Sequence, residues 1–554
     1  MPFLLLVVAL VALVLGGRWY WRRATLRWAV SGALSALATA DSPAAEATAL
    51  SNWARQTSSD WADRREELVQ LLCKQVRAGD LHGRKLLTWL TGADYGDRAD
   101  DWERWHEARE KQRDEGAEYA GEGGVRLKPG WEARIGLTAW FTTILPLDGQ
   151  IYVATLGMAY DDPRDEYDGV VRVDGVSGEA AFIFQPSDGP ERDIVGLAAG
   201  DGCLFAGCRN GVVYCLEPDG TVRWEGRAGA AIDGPPLAID VNGDGVIDVA
   251  VVTVEGRVVA MSGHSGQTIW RTRASGSSGV GGAGAVLTAG NLLGGTGREI
   301  VVTTPAGAMR VLAARTGNVL WENTLGAGCL AGTIVTARLR GGSPPAYVAD
   351  RQARIWTLLR AAPAMQTVLS WDLVLHEQDG IVAGLRTLAR RDQPPLVIAC
   401  VSGGGDWDGS VCAAEPGGVR WRFSPGGYIW AAPALADLNG DKESEIVLAT
   451  AGRNDAETGA GLIVVLSASG HCLRRITLPA APTCSPIISD VDGDNELEVL
   501  VADAGGWLRC FDTGRMGAVE WSVGGGDSHN TRDAENAYRY GQVPHGVQWR
   551  WTPE

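Results

Sequence analysis

Short apolar runs separated by glycine-rich turns recur along most of the chain. One unit begins with Pro-Pro-Leu-Ala-Ile239 and continues, after a polar loop, with a run ending in Thr253. A third run ends in Met261 and a fourth in Trp270. Short apolar runs bounded by Gly, Asn and Asp are typical of β-strands. The pattern therefore predicts four short strands per unit.

Tryptophans mark the ends of these units at intervals of about fifty residues. They are Trp131, Trp224, Trp270, Trp321, Trp371, Trp421 and Trp521, and units without the tryptophan lie near Phe182 and Arg474. This repeat predicts an all-β fold, an eight-bladed β-propeller of four-stranded blades, with seven blades and a closing piece as the alternative. We expect each tryptophan on an outermost strand, wedged between blades. The strands around Trp131 and Trp521 are expected to pair where the ring closes.

Three units carry a nine-residue loop between their first and second strands. Oxygen-bearing side chains stand at positions 1, 3, 5 and 9, glycine stands at position 4, and the backbone carbonyl of position 7 is a further candidate ligand. Ca²⁺ binds six to eight oxygens on loops that can wrap around it. The sequence therefore predicts three calcium sites, with metal-free Asn-Gly and Asp-Gly turns as the alternative. The predicted ligands are Asp240, Asn242, Asp244, Val246 and Asp248; Asp437, Asn439, Asp441, Glu443 and Glu445; and Asp490, Asp492, Asp494, Glu496 and Glu498.

Two further units have lost these acidic residues. The segment 291–299 lacks acids at positions 3 and 5, and the segment 338–342 carries arginines instead. We expect no calcium at either place, so the ion would brace particular blades.

The acidic loops resemble the FG-GAP (VCBS-type) repeats of integrin-α-like propellers, and the Gly-x-x-x-Trp ends resemble PQQ-type repeats. The segment from Glu520 to Arg532 is similar to the closing phrase of bacterial FG-GAP proteins. The resemblance covers about 131–540 and implies export, calcium in the blades and an adhesive or scaffold role. Before it, a Leu-Thr-Gly-x-Asp-Tyr-Gly phrase near Gly96 resembles the end of HEAT-like helical repeats.

The N-terminal region has a different pattern. Residues 3–15 are uninterrupted apolar residues, followed by an aromatic and arginine-rich stretch. This predicts a membrane anchor over 1–23, with a signal peptide as the alternative. Residues 24–124 are predicted as an α-helical spacer with helices near 43–57 and 60–78, 125–540 as the propeller and 541–554 as a tail. Arginines after the apolar run favour a cytoplasmic propeller, whereas the repeats favour an extracytoplasmic one, in the periplasm or at the cell surface.

Charge and cysteine content narrow the function classes. The chain has 50 Lys and Arg against 67 Asp and Glu, a net charge of −17, which argues against a nucleic-acid partner. Its 10 cysteines show no Cys-x-x-Cys pair and match no zinc or haem pattern. We expect most of them to be small apolar core residues.

The sequence contains no His-Glu-x-x-His, Gly-x-Ser-x-Gly or P-loop motif. A Gly-x-Gly-x-x-Gly match at 279–284 does not stand between a strand and a helix, so it is interpreted as a loop. The sequence therefore favours a non-catalytic binding module. A quinone-dependent dehydrogenase is one alternative, although the adjacent cysteine pair that this resemblance implies is missing. A propeller polysaccharide lyase is the other.

A partner is expected at the face of the ring opposite the calcium loops. Enlarged loops and an inter-blade segment there combine aromatic and charged side chains, which suit a protein or polysaccharide. The candidate residues are Asp161, Asp162, Arg164, Asp406, Trp407, Asp408, Tyr428 and Trp430.

Overall fold

In the computed structural model the chain divides into two compact units, residues 1–114 and 115–554. The structure describes the following residues: 28–40, 45, 49, 65–78, 80, 82–83, 85–87, 124–138, 144–157, 168–187, 191–232, 234–274, 286–290, 298–304, 307–324, 329–336, 346–350, 354–361, 364–372, 381–390, 393–402, 409–415, 418–452 and 461–522.

The first unit is helical where it is described. Residues 28–38 are helical, and a helix runs over Arg65–Arg77 within the predicted segment 60–78. Leu68, Leu72 and Val76 recur at four-residue spacing and are buried, so they form the apolar stripe of this helix. Among the described residues no helix is long and apolar enough to cross a membrane. The predicted anchor over 1–23 lies outside the described residues.

The second unit is built from strands. In chain order they are β1 (Lys128–Arg134), β2 (Ile144–Leu147), β3 (Gln150–Leu156), β4 (Asp168–Asp174), β5 (Ala180–Phe184), β6 (Ile194–Gly200), β7 (Cys203–Cys208), β8 (Val212–Leu216), β9 (Val222–Arg227), β10 (Leu237–Ile239), β11 (Asp248–Val252), β12 (Arg257–Met261), β13 (Thr268–Arg273), β14 (Val286–Gly290), β15 (Glu299–Thr303), β16 (Ala308–Ala313), β17 (Val319–Thr324), β18 (Cys329–Thr336), β19 (Ala346–Asp350), β20 (Arg354–Ala361), β21 (Ala364–Asp372), β22 (Ile381–Arg390), β23 (Gln393–Ser402), β24 (Ser410–Glu415), β25 (Gly418–Phe423), β26 (Ala434–Ala436), β27 (Glu445–Ala451), β28 (Gly461–Leu466), β29 (Cys472–Leu478), β30 (Ile487–Ser489), β31 (Glu498–Ala502), β32 (Trp507–Asp512) and β33 (Val519–Trp521).

These strands form antiparallel sheets of consecutive strands. Sheets 1 to 6 are β2–β5, β6–β9, β10–β13, β14–β17, β18–β21 and β22–β25; sheet 7 is β26–β29 with β33, and sheet 8 is β30–β32 with β1. The predicted all-β propeller with four-stranded blades is confirmed. Among the described strands, seven sheets have four strands each, and sheet 7 has a fifth strand, β33.

Hydrophobic clusters between neighbouring sheets close the ring. The inner strands are buried on both sides, as in β11 and β15, where every residue is buried. Sheets 8 and 1 share one cluster through Val153 and Leu500. Because every sheet packs its two faces against neighbours, near-continuous apolar strands replace the alternating pattern of a one-sided sheet. Of the nine cysteines whose side chains are described, eight are buried and Cys472 is half-buried, as expected for most, although Cys73 lies on a helix.

The tryptophans join neighbouring sheets as predicted. Trp224 on β9 donates its indole N–H to the carbonyl of Gly263 in sheet 3, at 2.7 Å. Its ring covers Gly266, which has a φ of +68° and on which a Cβ atom would lie 2.5 Å from the ring. Trp131, Trp270 and Trp421 make the equivalent contacts with the next sheet around the ring.

The predicted pairing of the strands around Trp131 and Trp521 is wrong. β1, which contains Trp131, pairs with β32 and completes sheet 8. β33, which contains Trp521, pairs with β26 of sheet 7. β26 is the first strand of its sheet, and its other edge pairs with β27. β33 therefore lies on the inner side of the ring, and Trp521 does not mark an outermost strand.

Candidate cation-binding loops

The three acidic loops occupy equivalent places. They connect β10 to β11, β26 to β27 and β30 to β31. In an antiparallel sheet of consecutive strands, the loop between the first and second strands lies at the same end of the sheet as the turn between the third and fourth strands. All three loops therefore lie at one end of the ring, where the tryptophan-binding glycines also lie.

The loops fold through one set of hydrogen bonds. In the loop 490–498, the Asp490 carboxylate accepts the N–H groups of Gly493 and Asn495 at 2.8 and 3.1 Å. Asp492 accepts the N–H of Asp494, and Asp494 accepts that of Glu496 at 2.7 Å. The loops 240–248 and 437–445 repeat each of these bonds. The position-4 glycines and the position-6 residues have positive φ, which allows the bend.

Position 9 lies at the buried start of the second strand. Glu445 and Glu498 each accept the N–H of the second loop residue, at 2.7 and 2.8 Å. The shorter Asp248 uses both oxygens on backbone N–H groups, those of Val241 at 3.1 Å and Gly263 at 2.9 Å. Glu445 also uses its second oxygen, which accepts from the Asn439 amide at 3.0 Å. Asp248 differs in that it accepts backbone N–H groups from two separate turns.

Burial makes ionisation of these carboxyl groups unfavourable. It raises the pKa of Asp248 to about 6, of Glu445 to about 7 and of Glu498 to about 8. Negative charges in the same loop add to this effect, from Asp492 and its acidic neighbours in the case of Glu498. A cation would remove this repulsion, because an opposite charge favours the ionised form.

The loop 490–498 brings its acids together. Asp490, Asp492 and Asp494 each place a carboxylate oxygen within 4.8 Å of the others. Two oxygens bound to one Ca²⁺ at about 2.4 Å lie at most about 4.8 Å apart, so this spacing fits calcium. The other two loops place asparagine at position 3, whose oxygen is an equally suitable ligand for a hard cation. The oxygen-only donor set thus fits the predicted ion.

The remaining predicted residues divide into two groups. Val246, Glu443 and Glu496 at position 7 lie in the loops and donate their N–H groups to the position-5 carboxylates. Residues 291–297, 338–342 and 279–284 lie outside the described residues, so the predictions for them remain predictions.

Sequence analysis missed a segment that contacts two of the loops. We call residues 513–522 the closing segment. The N–H of Leu497 donates to the Arg515 carbonyl at 2.8 Å, and the N–H of Asp437 donates to the Ala518 carbonyl at 2.9 Å. The Ser444 hydroxyl donates to Glu520 at 2.9 Å. No spacing rule signals these contacts, because they depend on where the chain turns after the last sheet.

The closing segment ends on the inner side of the ring. Trp521 is 1% exposed, and its indole N–H donates to the Thr387 carbonyl on β22 at 2.7 Å. The buried Arg386 guanidinium lies 4.9 Å from the Trp521 ring centroid, a cation–π contact. Ser522 exchanges hydrogen bonds with Ile488 on β30. The segment thereby contacts sheets 6, 7 and 8.

At the opposite end of the ring, two of the predicted partner-face residues form a pair. Tyr428 and Trp430 lie between β25 and β26, half-buried, with parallel rings 4.8 Å apart. The other candidates, Asp161, Asp162, Arg164, Asp406, Trp407 and Asp408, lie outside the described residues.

Residues 168–342 match the family model described as outer membrane protein assembly factor BamB, a PQQ-type repeat. This segment is therefore similar to BamB-like, PQQ-type repeats. This match spans less than half of the chain. A search of curated proteins found none that matches the chain. The resemblances to FG-GAP repeats and to HEAT-like segments are not shown by these comparisons and remain predictions.

Solved structures of several propellers are similar to this chain. BamB from Moraxella catarrhalis is 17% identical, with a TM-score of 0.44, over 70% of this chain and 99% of that one. Quinohemoprotein alcohol dehydrogenase from Comamonas testosteroni is 14% identical, with a TM-score of 0.49, over 70% and 77%. Sqt1 from Saccharomyces cerevisiae is 12% identical, with a TM-score of 0.48, over 69% and 99%.

Proposed function

We propose that this protein is a non-catalytic, calcium-braced β-propeller scaffold that binds a partner protein. The observation that carries the proposal is the set of hydrogen bonds to positions 1, 3 and 5 that the three acidic loops share at equivalent places in sheets 3, 7 and 8. Oxygens arranged for a hard cation at the junction of two strands suit an ion that stiffens a sheet. The partner surface is the opposite end of the ring, where Tyr428 and Trp430 stack.

The use of the perturbed carboxyl groups supports a structural role. Asp248, Glu445 and Glu498 have strongly raised pKa values, yet each accepts a backbone N–H of its own loop. A general acid or base would instead have to reach a bound substrate. We further propose that the apolar N-terminus anchors the chain to a membrane with the propeller outside the cytoplasm.

Calcium binding is tested by thermal unfolding of the full chain with calcium or with a chelator. At a hundredfold excess over its Kd, each bound ion stabilises the fold by about 2.7 kcal/mol. We expect calcium to raise the melting temperature of the wild type, and Asp490→Asn, which removes a converging carboxylate, to reduce the effect. Glu322→Gln, which neutralises an exposed carboxylate on β17 of sheet 4, a sheet with none of the three acidic loops, is the control. An unchanged melting temperature on chelation contradicts calcium bracing.

The scaffold role is tested by crosslinking the wild type and Trp430→Ala in cells and comparing the captured proteins. We expect the variant to lose captured partners while its melting temperature stays near that of the wild type. Adding the quinone cofactor with calcium to purified protein separates the dehydrogenase alternative. Stoichiometric cofactor absorbance would contradict the non-catalytic assignment.

A further inference from the structure

Three exposed arginines lie together at the outer edge of sheet 3, on the face towards sheet 2. They are Arg257 at the start of β12, and Arg271 and Arg273 on β13. We call them the arginine rim. Fourth strands end and third strands begin at the end of the ring opposite the acidic loops, so the rim shares that end with the Tyr428–Trp430 pair.

Backbone contacts fix the rim across neighbouring sheets. The Arg271 guanidinium donates to the Arg227 carbonyl of the adjacent sheet at 3.2 Å. From the other side, Arg310 of sheet 4 donates to the Arg273 carbonyl at 2.9 Å. Arg271 therefore reaches over the groove between the outer strands of sheets 2 and 3, which are β9 and β13.

The positive charge of the rim is only partly neutralised. Arg257 pairs with Glu255 at 3.2 Å, with the two side chains 47% and 53% exposed. Within the described part of the chain, Arg271 and Arg273 make no ion pair with a carboxylate. Glu322 on β17, which pairs with the Arg310 that contacts Arg273, is a further exposed acid beside the rim.

Two of these charges also face each other. Arg257 and Arg273 are direct cross-strand partners in the β12–β13 ladder. Like charges directly opposite in a sheet are destabilising. Glu255 offsets the charge of Arg257, whereas Arg273 has no carboxylate partner among the described residues. A local rule left partly uncompensated in this way is expected at a functional site. This one lies in a chain whose net charge is −17.

We propose that the arginine rim binds an acidic peptide segment of the partner protein, in the groove between β9 and β13. This names the chemistry of the partner and rests on the scaffold function proposed above. Guanidinium groups bind carboxylates through paired, charge-assisted hydrogen bonds. In an extended peptide, side chains two residues apart point to the same side about 6.6 Å apart, which is also the separation of Arg271 and Arg273 along β13.

An acidic peptide suits this site better than a polyanionic surface. Screening at physiological salt limits the attraction to about 8 Å, so a short segment responds mainly to the rim. A membrane or nucleic acid extends beyond it and meets the negative charge of the rest of the chain.

The test is binding of a labelled peptide of alternating Glu and Ser to the full chain, against a Gln-and-Ser peptide of equal length. We expect Arg271→Gln/Arg273→Gln to weaken binding of the acidic peptide about five- to tenfold. Added salt should weaken binding to the wild type. Arg420→Gln is the matched control, because Arg420 lies exposed on the outer strand β25 but pairs with Glu415 at 3.2 Å. Its peptide affinity should equal that of the wild type.

Equal binding of both peptides, or wild-type affinity in the double variant, would overturn the proposal. A separate arm uses phosphatidylserine vesicles, and rim-dependent binding to vesicles in preference to the peptide would also overturn it. If the peptide does not bind while Trp430-dependent partner capture persists, the acidic-peptide proposal fails and the scaffold function stands. If both are lost, neither proposal survives.

Discussion

At the residue scale, the join between neighbouring sheets depends on a tryptophan and a glycine. The Trp224 ring lies directly on Gly266, so its indole N–H reaches the Gly263 carbonyl without a side chain between them. Aromatic rings bury a large apolar area in a defined orientation, which suits a joint between two rigid sheets. The glycine provides both the space and the left-handed turn.

We expect Gly266→Ala to destabilise the fold more than Gly202→Ala. Both glycines have left-handed backbones, with φ of +68° and +73°. At Gly202 nothing lies within 4 Å of an added Cβ, so we expect a cost of about 1–2 kcal/mol from the backbone alone. At Gly266 the Trp224 ring must also shift, which adds about 1–3 kcal/mol. Denaturant unfolding measures both costs, and equal costs would show that the ring contact adds nothing.

The contacts of the outer-strand tryptophans with the next sheet were predictable from the sequence, but the position of β33 on the inner side of the ring was not. Fifty-residue spacing places Trp224 and Trp270 on outer strands, because each follows three earlier strands of its own unit. The same spacing fails for Trp521, which follows sheet 8 after its fourth strand has been supplied by β1. Strand order around a closed ring depends on which chain end completes the last sheet, and spacing does not encode that choice.

At the element scale, β1 holds the two ends of the propeller chain together. It pairs with β32 over Lys128–Arg134, with one register shift. Side chains reinforce the pairing, since the buried Arg509 contacts both Glu132 of β1 and Asp503, the latter at 2.7 Å. Because only noncovalent contacts hold β1 to β32, the ring stays closed only while these two strands remain paired.

Glu132→Ala should destabilise the fold by about 1–3 kcal/mol, because it removes one partner of a buried guanidinium. Lys128→Ala on the same strand should cost less than about 0.5 kcal/mol, because its pair with Asp512 is exposed. Urea unfolding of both variants measures the difference. Equal effects would mean that β1 is held by its backbone pairing alone.

The acidic loops show how far sequence reasoning reaches at this scale. Their position in the repeat and the convergence of Asp490, Asp492 and Asp494 follow from alternating oxygen side chains around a glycine bend. The inward orientation of the Asp248 side chain does not follow from the loop sequence, because it depends on the N–H of Gly263, which lies in the turn between β12 and β13. A prediction made from each loop sequence by itself therefore makes the loop 240–248 look more similar to the other two loops than it is.

At the scale of the whole molecule, the closing segment connects two acidic loops to the inner side of the ring. It contacts the eighth position of both loops, Leu497 through the backbone and Ser444 through Glu520. In the third loop the equivalent residue, Ile247, donates its N–H to Asp201 of sheet 2 instead, at 2.5 Å. The ring therefore contains two loops that are linked to the burial of Trp521 and one that is not.

This difference predicts which loops control the order of the closing segment. Hydrogen exchange, measured by mass spectrometry on peptides covering 513–522, should rise when calcium is removed from the full chain, because loosened loops release the Arg515 and Ala518 carbonyls. In calcium, Asp490→Asn and Asp437→Asn should reproduce part of this rise. Asp240→Asn should raise exchange in its own loop and leave 513–522 as in the wild type. Equal exchange of 513–522 in the Asp240 and Asp490 variants would contradict the coupling, as would loops that loosen on chelation while the segment stays protected.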